Sequence, residues 1–152
     1  MRVALLAAAL LLPGSLAAQT IKLTGKVEHP RTVTMDELRT MPAITVKVAQ
    51  LAGTRQSDAS FTGTLLLPLV KSAGLVDAPG KSGPLQHVFL PRGGDDYAAA
   101  IAVGEVDPEF EGKQVILAWE RDGKRLDTPQ IVVPGDVRAG RAVHDVVEIE
   151  VR

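Results

Sequence analysis

Three arginines lie in loop-like segments where a guanidinium is free to meet a ligand. Arg55 follows a Gly-Thr pair, and Arg138 and Arg141 stand on either side of Gly140, ahead of the last apolar run. A guanidinium pairs bidentately with planar acceptors and stacks on flat rings, so these positions suit a polar heterocycle or an anion. A solvated surface arginine is the plainer alternative at each of the three.

Acidic and aromatic residues offer a second set of contacts. Asp95 and Asp96 are adjacent in a Gly-rich turn and precede Tyr97, and Trp119 is the only tryptophan. The carboxylates can accept hydrogen bonds from the amino and ring N–H groups of a heterocycle, and the indole can stack on it. Turn formation accounts for the two aspartates equally well. Tyr97 and Trp119 have the alternative of packing in the core.

Residues for metal binding or covalent catalysis do not form a recognisable pattern. His29, His87 and His144 lie far apart in the sequence and lack the short spacing of a metal site. The chain contains no cysteine, so it cannot offer a thiolate to a transition metal. Its serines occur in no nucleophile-elbow motif. The sequence therefore predicts no catalytic residue and no metal ligand.

The N-terminal residues are typical of a leader sequence. A positive start at Arg2 is followed by the apolar run 3–12 and by a small-residue exit at Ala17 and Ala18. This pattern predicts a cleaved signal peptide at residues 1–18 and a periplasmic or secreted protein. The apolar run is shorter than the ~20 residues that a membrane span requires.

The remaining residues, 19–152, are predicted to form one domain. Their number suits a single hydrophobic core, and without cysteine that core has no disulfide to support it. Net charge is −1, with acidic and basic residues intermixed, which argues against nucleic acid or an anionic membrane as the main partner.

The local patterns predict short helices among many strands. Alternation predicts strands at 21–27 and 44–48, and Thr34 with Glu37 has the spacing of a helix N-cap. A second helix is expected from Leu66 or Leu67 to Gly74. Strands follow at 87–90, 97–103, 115–120, 131–133 and 143–151, with a tight turn at Asp122-Gly123. The fold class is therefore α+β with a mostly β core.

Several segments, in order, resemble the molybdopterin-dependent oxidoreductases of the sulfite oxidase type. Gly63 to Gly74 is similar to the family's G-x-x-L-x-x-L-L-x-x-A-G helix, and Val132-Val133-Pro134 to its closing strand. Other similar segments are the opening strand with the Thr34 helix, Asp95-Asp96-Tyr97 with Glu105, and residues 141–146. Asp96 stands where the family has a glycine. The resemblance implies the molybdopterin-domain fold for nearly all of 19–152.

The most informative departure from the family is Leu51. Residues 50–55 read Gln-Leu-Ala-Gly-Thr-Arg and resemble the family's Q-C-x-G-N-R segment, whose cysteine ligates molybdenum. Leu51 takes the place of that cysteine and Thr54 that of the asparagine, whereas Gly53 and Arg55 match. The resemblance is closest to small exported members of this fold, some of which bind a metal-free pterin and regulate a membrane-bound signalling enzyme.

Three functions follow from these observations. The leading hypothesis is an exported, non-catalytic protein that binds a pterin without molybdenum and signals through a protein partner, such as the periplasmic domain of a membrane signalling protein. Its pocket would form from the 50–55 loop, the 95–97 turn and the 138–141 loop. The second hypothesis is a molybdopterin-dependent oxidoreductase in which a non-protein ligand replaces the cysteine. The third is an assembly protein that binds no ligand.

Overall fold

A computed structural model describes residues 18–152; the predicted signal peptide lies outside them except for its last residue. The strands and helices follow one another as β1 (Thr20–Gly25), β2 (Arg31–Thr34), α1 (Met35–Thr40), β3 (Ala43–Ala52), β4 (Arg55–Leu65), α2 (Leu66–Lys71), β5 (Val88–Gly93), β6 (Ile101–Ala102), α3 (Val103–Val106), β7 (Ile116–Arg121), β8 (Lys124–Val132) and β9 (Val146–Val151). Two short 3-10 helices occupy Gly83–Gln86 and Ala139–Arg141.

The strands form two sheets. The five-stranded sheet has the order β2-β1-β9-β5-β6, and the four-stranded sheet has the order β3-β4-β7-β8. Neighbouring strands are antiparallel except β1 and β9, which bring the beginning and the end of the described chain together in parallel. The mostly β, α+β class predicted from the sequence is confirmed.

The apolar side chains form two separate clusters. The larger cluster contains Ile21 and Ile149 of the five-stranded sheet, Leu69 of α2, and Leu117 and Trp119 of β7. The smaller cluster lies on the other face of β7, because alternate residues of a strand point to opposite faces. Its members are Val46, Val48, Ala59, Phe61, Ile116, Ala118 and Val132. The four-stranded sheet is therefore apolar on both faces over part of its area.

Two local predictions are confirmed in detail. The Thr34 hydroxyl accepts a hydrogen bond from the Glu37 N–H at 3.1 Å, as expected for an N-cap. Asp122 and Gly123 have φ values of 49° and 76° and join β7 to β8 in a two-residue hairpin turn. Both features depend only on residues that are close in sequence.

Other elements differ from the sequence prediction. The predicted strand 97–103 is a strand only at Ile101–Ala102, and Val103 begins α3 because the Glu105 carboxylate accepts a hydrogen bond from the Ala102 N–H at 3.0 Å. The second helix ends at Lys71, and Gly74 lies beyond it with φ of 73°. Strand β2 was not predicted. No helix within 18–152 is long and apolar enough to cross a membrane.

The 50–55 segment also differs, because it is a hairpin and not an open loop. Pairing between β3 and β4 continues to Ala52 and Arg55, which leaves Gly53 and Thr54 as a two-residue turn. Gly53 has φ of 65° at the first turn position, where type II′ turns favour glycine. Gln50 and Leu51 therefore lie within a strand, and their side chains point to opposite faces.

Gly63 offers a direct test of how closely β4 and β7 pack. A Cβ at this position would lie 2.3 Å from the Leu117 carbonyl oxygen and 2.6 Å from the Ala118 Cα. We expect Gly63→Ala to lower the free energy of unfolding by about 2 kcal/mol, because backbone must move to admit the methyl group. Gly140→Ala, whose Cβ would meet nothing within 4 Å, is the control and should change it by less than ~0.5 kcal/mol. Urea unfolding measures both; equal losses would contradict the packing described.

Candidate functional site

A cavity of about 160 Å³ lies where the polar ends of β3, β4 and β8 meet the segment that precedes β9. We call it the polar cavity. Its lining comprises Val48, Gln50, Ser57, Ala59, Phe61, Arg121, Gln130, Ala139, Ala142 and His144. The apolar members Val48, Ala59 and Phe61 belong to the smaller cluster, so the cavity has an apolar wall and a polar rim.

Strand alternation explains why polar side chains reach this cavity. Gln50 continues the face of Val46 and Val48, and it pairs with Ser57, which continues the face of Phe61 and Ala59. On β8, Gln130 likewise continues the face of Val132. Each strand thus changes from apolar to polar residues on one face as it enters the cavity. Arg55 lies on the same face as Ser57, two residue pairs nearer to the hairpin turn.

The polar groups of the cavity remain largely free to bind a ligand. The Gln50 amide nitrogen donates to the Val133 carbonyl oxygen at 3.3 Å, which leaves the Gln50 amide oxygen as an acceptor. Arg121 lies with its guanidinium carbon 5.5 Å from the centre of the Phe61 ring, and it donates to the Ser57 hydroxyl at 3.4 Å. The exposed Arg121 guanidinium, backed by the buried Phe61 ring and next to amide groups, offers a flat cationic surface that suits a planar polar molecule.

Leu51 faces away from this cavity. It lines a separate groove of about 390 Å³, the Leu51 groove, together with Gln56 and residues 135–137. Its N–H donates to the Val137 carbonyl oxygen at 2.9 Å, and its backbone forms a parallel bridge with Arg138. The side chain offers only hydrocarbon there. No cluster of three or more His, Cys, Asp or Glu suited to a metal exists in residues 18–152.

The predicted site residues fall into different positions. Arg55 is exposed beside the hairpin turn, and Arg138 is exposed next to Leu51. Trp119 is only 6% exposed and packs in the larger cluster, so its ring has no free face for a ligand. The physical reason is that alternation in β7 directs residues 117 and 119 away from the smaller cluster.

The 95–97 turn contacts the 138–141 segment but does not line the polar cavity. The Tyr97 hydroxyl donates to the Gly140 carbonyl oxygen, and the Tyr97 N–H donates to the Asp95 carboxylate at 3.0 Å. Asp96 is exposed with φ of 67°, the left-handed conformation that favours glycine, at the position where the related family has one. Among these three residues, Tyr97 is the one that makes a hydrogen bond to the segment forming the cavity wall.

Arg141 is committed to ion pairs and holds the cavity wall in place. Its guanidinium donates to both oxygens of Asp136, at 2.9 and 2.7 Å, and to Glu105 of α3 at 2.8 Å. The hydrogen bonds to Asp136, then those to Glu105, raise the pKa of this guanidinium. Arg141 thus connects α3 to the 3-10 helix at Ala139–Arg141, and three of the five N–H donors of its guanidinium are already used.

Glu105 is stabilised as a carboxylate by the same contacts. Burial works to raise its pKa, but hydrogen bonds from Arg141 and the Ala102 N–H, with the charges of Arg141 and Lys113, outweigh burial and lower the pKa. Lys113 lies 3.7 Å from this carboxylate. Glu105 and Arg141 belong to two different segments that resemble the family. In the folded chain these two segments are joined by an ion pair.

Sequence reasoning missed Ser57, Arg121, Gln130 and His144. The signal that identifies three of the cavity residues is a change of residue type within an alternating strand: Val46 and Val48 to Gln50, Phe61 and Ala59 to Ser57, Val132 to Gln130. That signal becomes informative only when the pairing of β3, β4 and β8 is known.

Three comparisons with known proteins bear on this chain. A family model described as "Oxidoreductase molybdopterin binding domain" matches residues 12–151. The crystal structure of the sulfane dehydrogenase SoxCD from Paracoccus pantotrophus is similar, with a TM-score of 0.70 and 21% identity over 90% of this chain. This chain covers 39% of that chain, and at this identity the likeness shows the fold. No curated protein matches in sequence.

The Glu105–Arg141 pair generates a prediction about pH. The folded pKa of Glu105 lies below its ordinary value of 4.5, so the pair stabilises the fold above that value and the benefit is lost as pH falls through the lowered pKa. Glu105→Gln should therefore cost about 1–2 kcal/mol of unfolding free energy at pH 7, and the loss should shrink below about pH 4.5.

A series of urea titrations at different pH values measures this loss. Glu111→Gln is the matched control, because Glu111 pairs with the same Lys113 at 3.2 Å but is half exposed, where ion pairs contribute little. A loss from Glu105→Gln that stays constant down to pH 3, or one no larger than that of the control, would contradict this account.

Proposed function

Because the chain belongs to the oxidoreductase molybdopterin-binding domain family, we propose that it is an exported, non-catalytic member that binds a metal-free pterin and passes the signal to a protein partner. The polar cavity holds the ring of the pterin. Leu51 is the observation that carries the proposal, because it replaces the family's metal-ligating cysteine with a side chain that cannot bind molybdenum.

The donor set at Leu51 does not fit molybdenum. The resemblance assigns the metal-ligating thiolate to this position, and an aliphatic side chain has no lone pair to donate. No other residue can supply a thiolate, because the chain contains no cysteine. The backbone of Leu51 is also fixed by its hydrogen bond to Val137. We therefore derive no oxidation or reduction step for this protein.

The polar cavity suits the organic part of such a cofactor better than it suits a metal. A pterin has amino, ring N–H and carbonyl groups along its edges, which match the amides of Gln50 and Gln130 and the Ser57 hydroxyl. The half-exposed guanidinium of Arg121, which lies over the buried Phe61 ring, offers a flat surface for the pterin ring. At about 160 Å³ the cavity is smaller than the ~300 Å³ typical of pockets for drug-sized ligands, so it accommodates one bicyclic ring system.

Arg55 extends this site toward the hairpin turn. It lies on the same face as Ser57, and the proposal assigns it contact with a substituent of the pterin that leaves the cavity. A guanidinium there can pair with an anionic or carbonyl group of the ligand. The exposed rim at Arg55 also leaves part of the bound ligand accessible to a second protein, which is the readout that a non-catalytic binder requires. The expected leader at residues 1–18 would bring the protein to the periplasm or the exterior, where the periplasmic domain of a membrane signalling protein could contact it.

Metal content distinguishes this proposal from a molybdoenzyme with a substitute ligand. Protein purified from a cell that makes molybdopterin should carry essentially no molybdenum, because Leu51 provides no ligand. Elemental analysis measures this directly. Close to one molybdenum per chain would overturn the non-catalytic assignment and favour the oxidoreductase.

Pterin binding tests the cavity itself. We expect an oxidised or reduced pterin to bind with Kd on the order of micromolar, measured by calorimetry or pterin fluorescence. Arg55→Ala and Gln130→Leu should each weaken binding roughly 10- to 150-fold, through loss of hydrogen bonds to the ligand. Gln56→Leu is the matched control: Gln56 adjoins Arg55 in sequence but points to the opposite face, so affinity should not change.

The pattern among these variants identifies the site. A loss with Gln56→Leu but none with Gln130→Leu would place the ligand in the Leu51 groove and not in the polar cavity. Absence of saturable binding by any pterin up to about millimolar concentration would favour the assembly protein without a ligand.

A further inference from the structure

The outer edge of β3 leaves backbone hydrogen-bonding groups without partners. On its inner side β3 pairs with β4 along its whole length, from Ala43 to Ala52. Within residues 18–152 the outer side of the strand has one backbone contact, at Leu51, which bonds to Val137 and forms a bridge with Arg138. The chain then turns away into the 3-10 helix at Ala139–Arg141.

The contact at Leu51 shows which other residues face outward. The N–H and C=O of one residue in an antiparallel strand point to the same side, and this side alternates along the strand. Thr45, Lys47 and Ala49 therefore direct their backbone groups to the same side as Leu51. They form no backbone hydrogen bond outside the β3–β4 pair in the part of the chain described. Their side chains are exposed as well.

This edge lacks most of the features that prevent strands from pairing with other chains. Edge strands are usually protected by proline, by a bulge, by charged side chains, lysine above all, or by a covering element. Residues 43–49 contain neither proline nor glycine, their pairing with β4 has no shift of register, and Lys47 is their one charged residue. The edge is thus regular enough to receive another strand.

We propose that the segment Thr45–Ala49 binds an extended segment of a partner protein as an added β-strand, with an acidic residue of the partner opposite Lys47. The main-chain groups of Thr45, Lys47 and Ala49 supply the hydrogen bonds. Specificity comes from the two faces: Lys47 attracts a carboxylate on the exposed face, and Val46 and Val48 favour apolar residues on the other. The partner segment therefore alternates apolar and polar residues around an acidic centre.

The position of Lys47 favours a different protein over a second copy of this chain. Two copies of Thr45–Ala49 that pair antiparallel over this segment place Lys47 opposite Lys47, and like charges directly opposite are destabilising. The proposal is independent of pterin binding, because the partner strand would bind backbone groups of β3 that do not contribute to the polar cavity. Its test therefore contains no pterin.

The probe is a blocked synthetic peptide of about nine residues, Ser-Val-Thr-Val-Glu-Val-Thr-Val-Ser, with a twin that carries lysine at the centre. Titration is followed by amide chemical shifts of the isotope-labelled protein. We expect shifts concentrated at Thr45, Lys47 and Ala49, and at least about tenfold weaker binding of the lysine peptide. Lys47→Glu should reverse this preference, whereas the control Lys124→Glu, at an exposed position of β8, should not.

A backbone variant tests the hydrogen bonds separately. Ala49→Pro removes an outward N–H that takes no part in the β3–β4 pair, and it should weaken binding of the glutamate peptide at least about tenfold. If this variant fails to fold by circular dichroism, the charge reversal at Lys47 decides the matter alone. Absence of shifts at millimolar peptide, shifts away from Thr45–Ala49, no reversal by Lys47→Glu, or dimers of the free protein in sedimentation would each overturn the proposal.

Discussion

The continuous pairing of β3 with β4 determines which side chains of these two strands face the polar cavity and which face the Leu51 groove. Their residues pair without a shift from Ala43 with Thr64 to Ala52 with Arg55. Because side chains alternate between faces, a slip of one residue would exchange the two faces completely. The observed register directs Gln50 and Ser57 into the polar cavity and Leu51 into its own groove, and it turns the backbone of Lys47 outward.

A second interaction holds the opposite wall of the polar cavity. Arg141 joins Asp136 and Glu105, and the Tyr97 hydroxyl reaches Gly140 from the other side. These polar contacts add to the packing of the buried Ala142 and Val143 in holding the segment of the 3-10 helix at Ala139–Arg141 against the cavity. The ion pairs are partly buried, which makes them stronger than exposed pairs of the same kind. The sequence suggested Arg141 as a ligand contact. In the structure its ion pairs support the wall of the polar cavity, so its effect on the site is indirect.

The sequence predicted those features that depend on neighbouring residues. The Thr34 cap and the Asp122-Gly123 turn follow from side chains within three residues of each other, and both were correct. The fold followed from motifs in family order, although none of these motifs is specific alone. Interactions between distant segments were not predictable in the same way. Gln130 and Gln50 line one cavity only because the strands of the sheet have the order β3-β4-β7-β8, which local patterns do not reveal. The ion pairs of Arg141 with Asp136 and Glu105 likewise depend on contact between segments that are apart in sequence.

The hairpin at residues 50–55 shows why the motif alone was misleading. Gly53 and Arg55 match the family's segment, and in this chain they were expected to lie in a loop after a strand. With Leu51 in the strand and Gly53 in a two-residue turn, the same residues close into regular β structure. The resemblance to molybdoenzymes is thus retained in the fold, while the residue at the metal position is a hydrocarbon that lies in a strand. What remains for the ligand is the polar cavity on the other face of the hairpin.

The central claim is that this cavity holds a pterin without molybdenum. The most direct measurement is mass spectrometry of the small molecules released on denaturation of protein purified from its native compartment. The account predicts a compound with a pteridine ring, near one per chain, that is absent from material released by the Gln130→Leu variant purified in the same way. Release of molybdopterin with its metal, or of no pteridine at all from the unaltered protein, would contradict it.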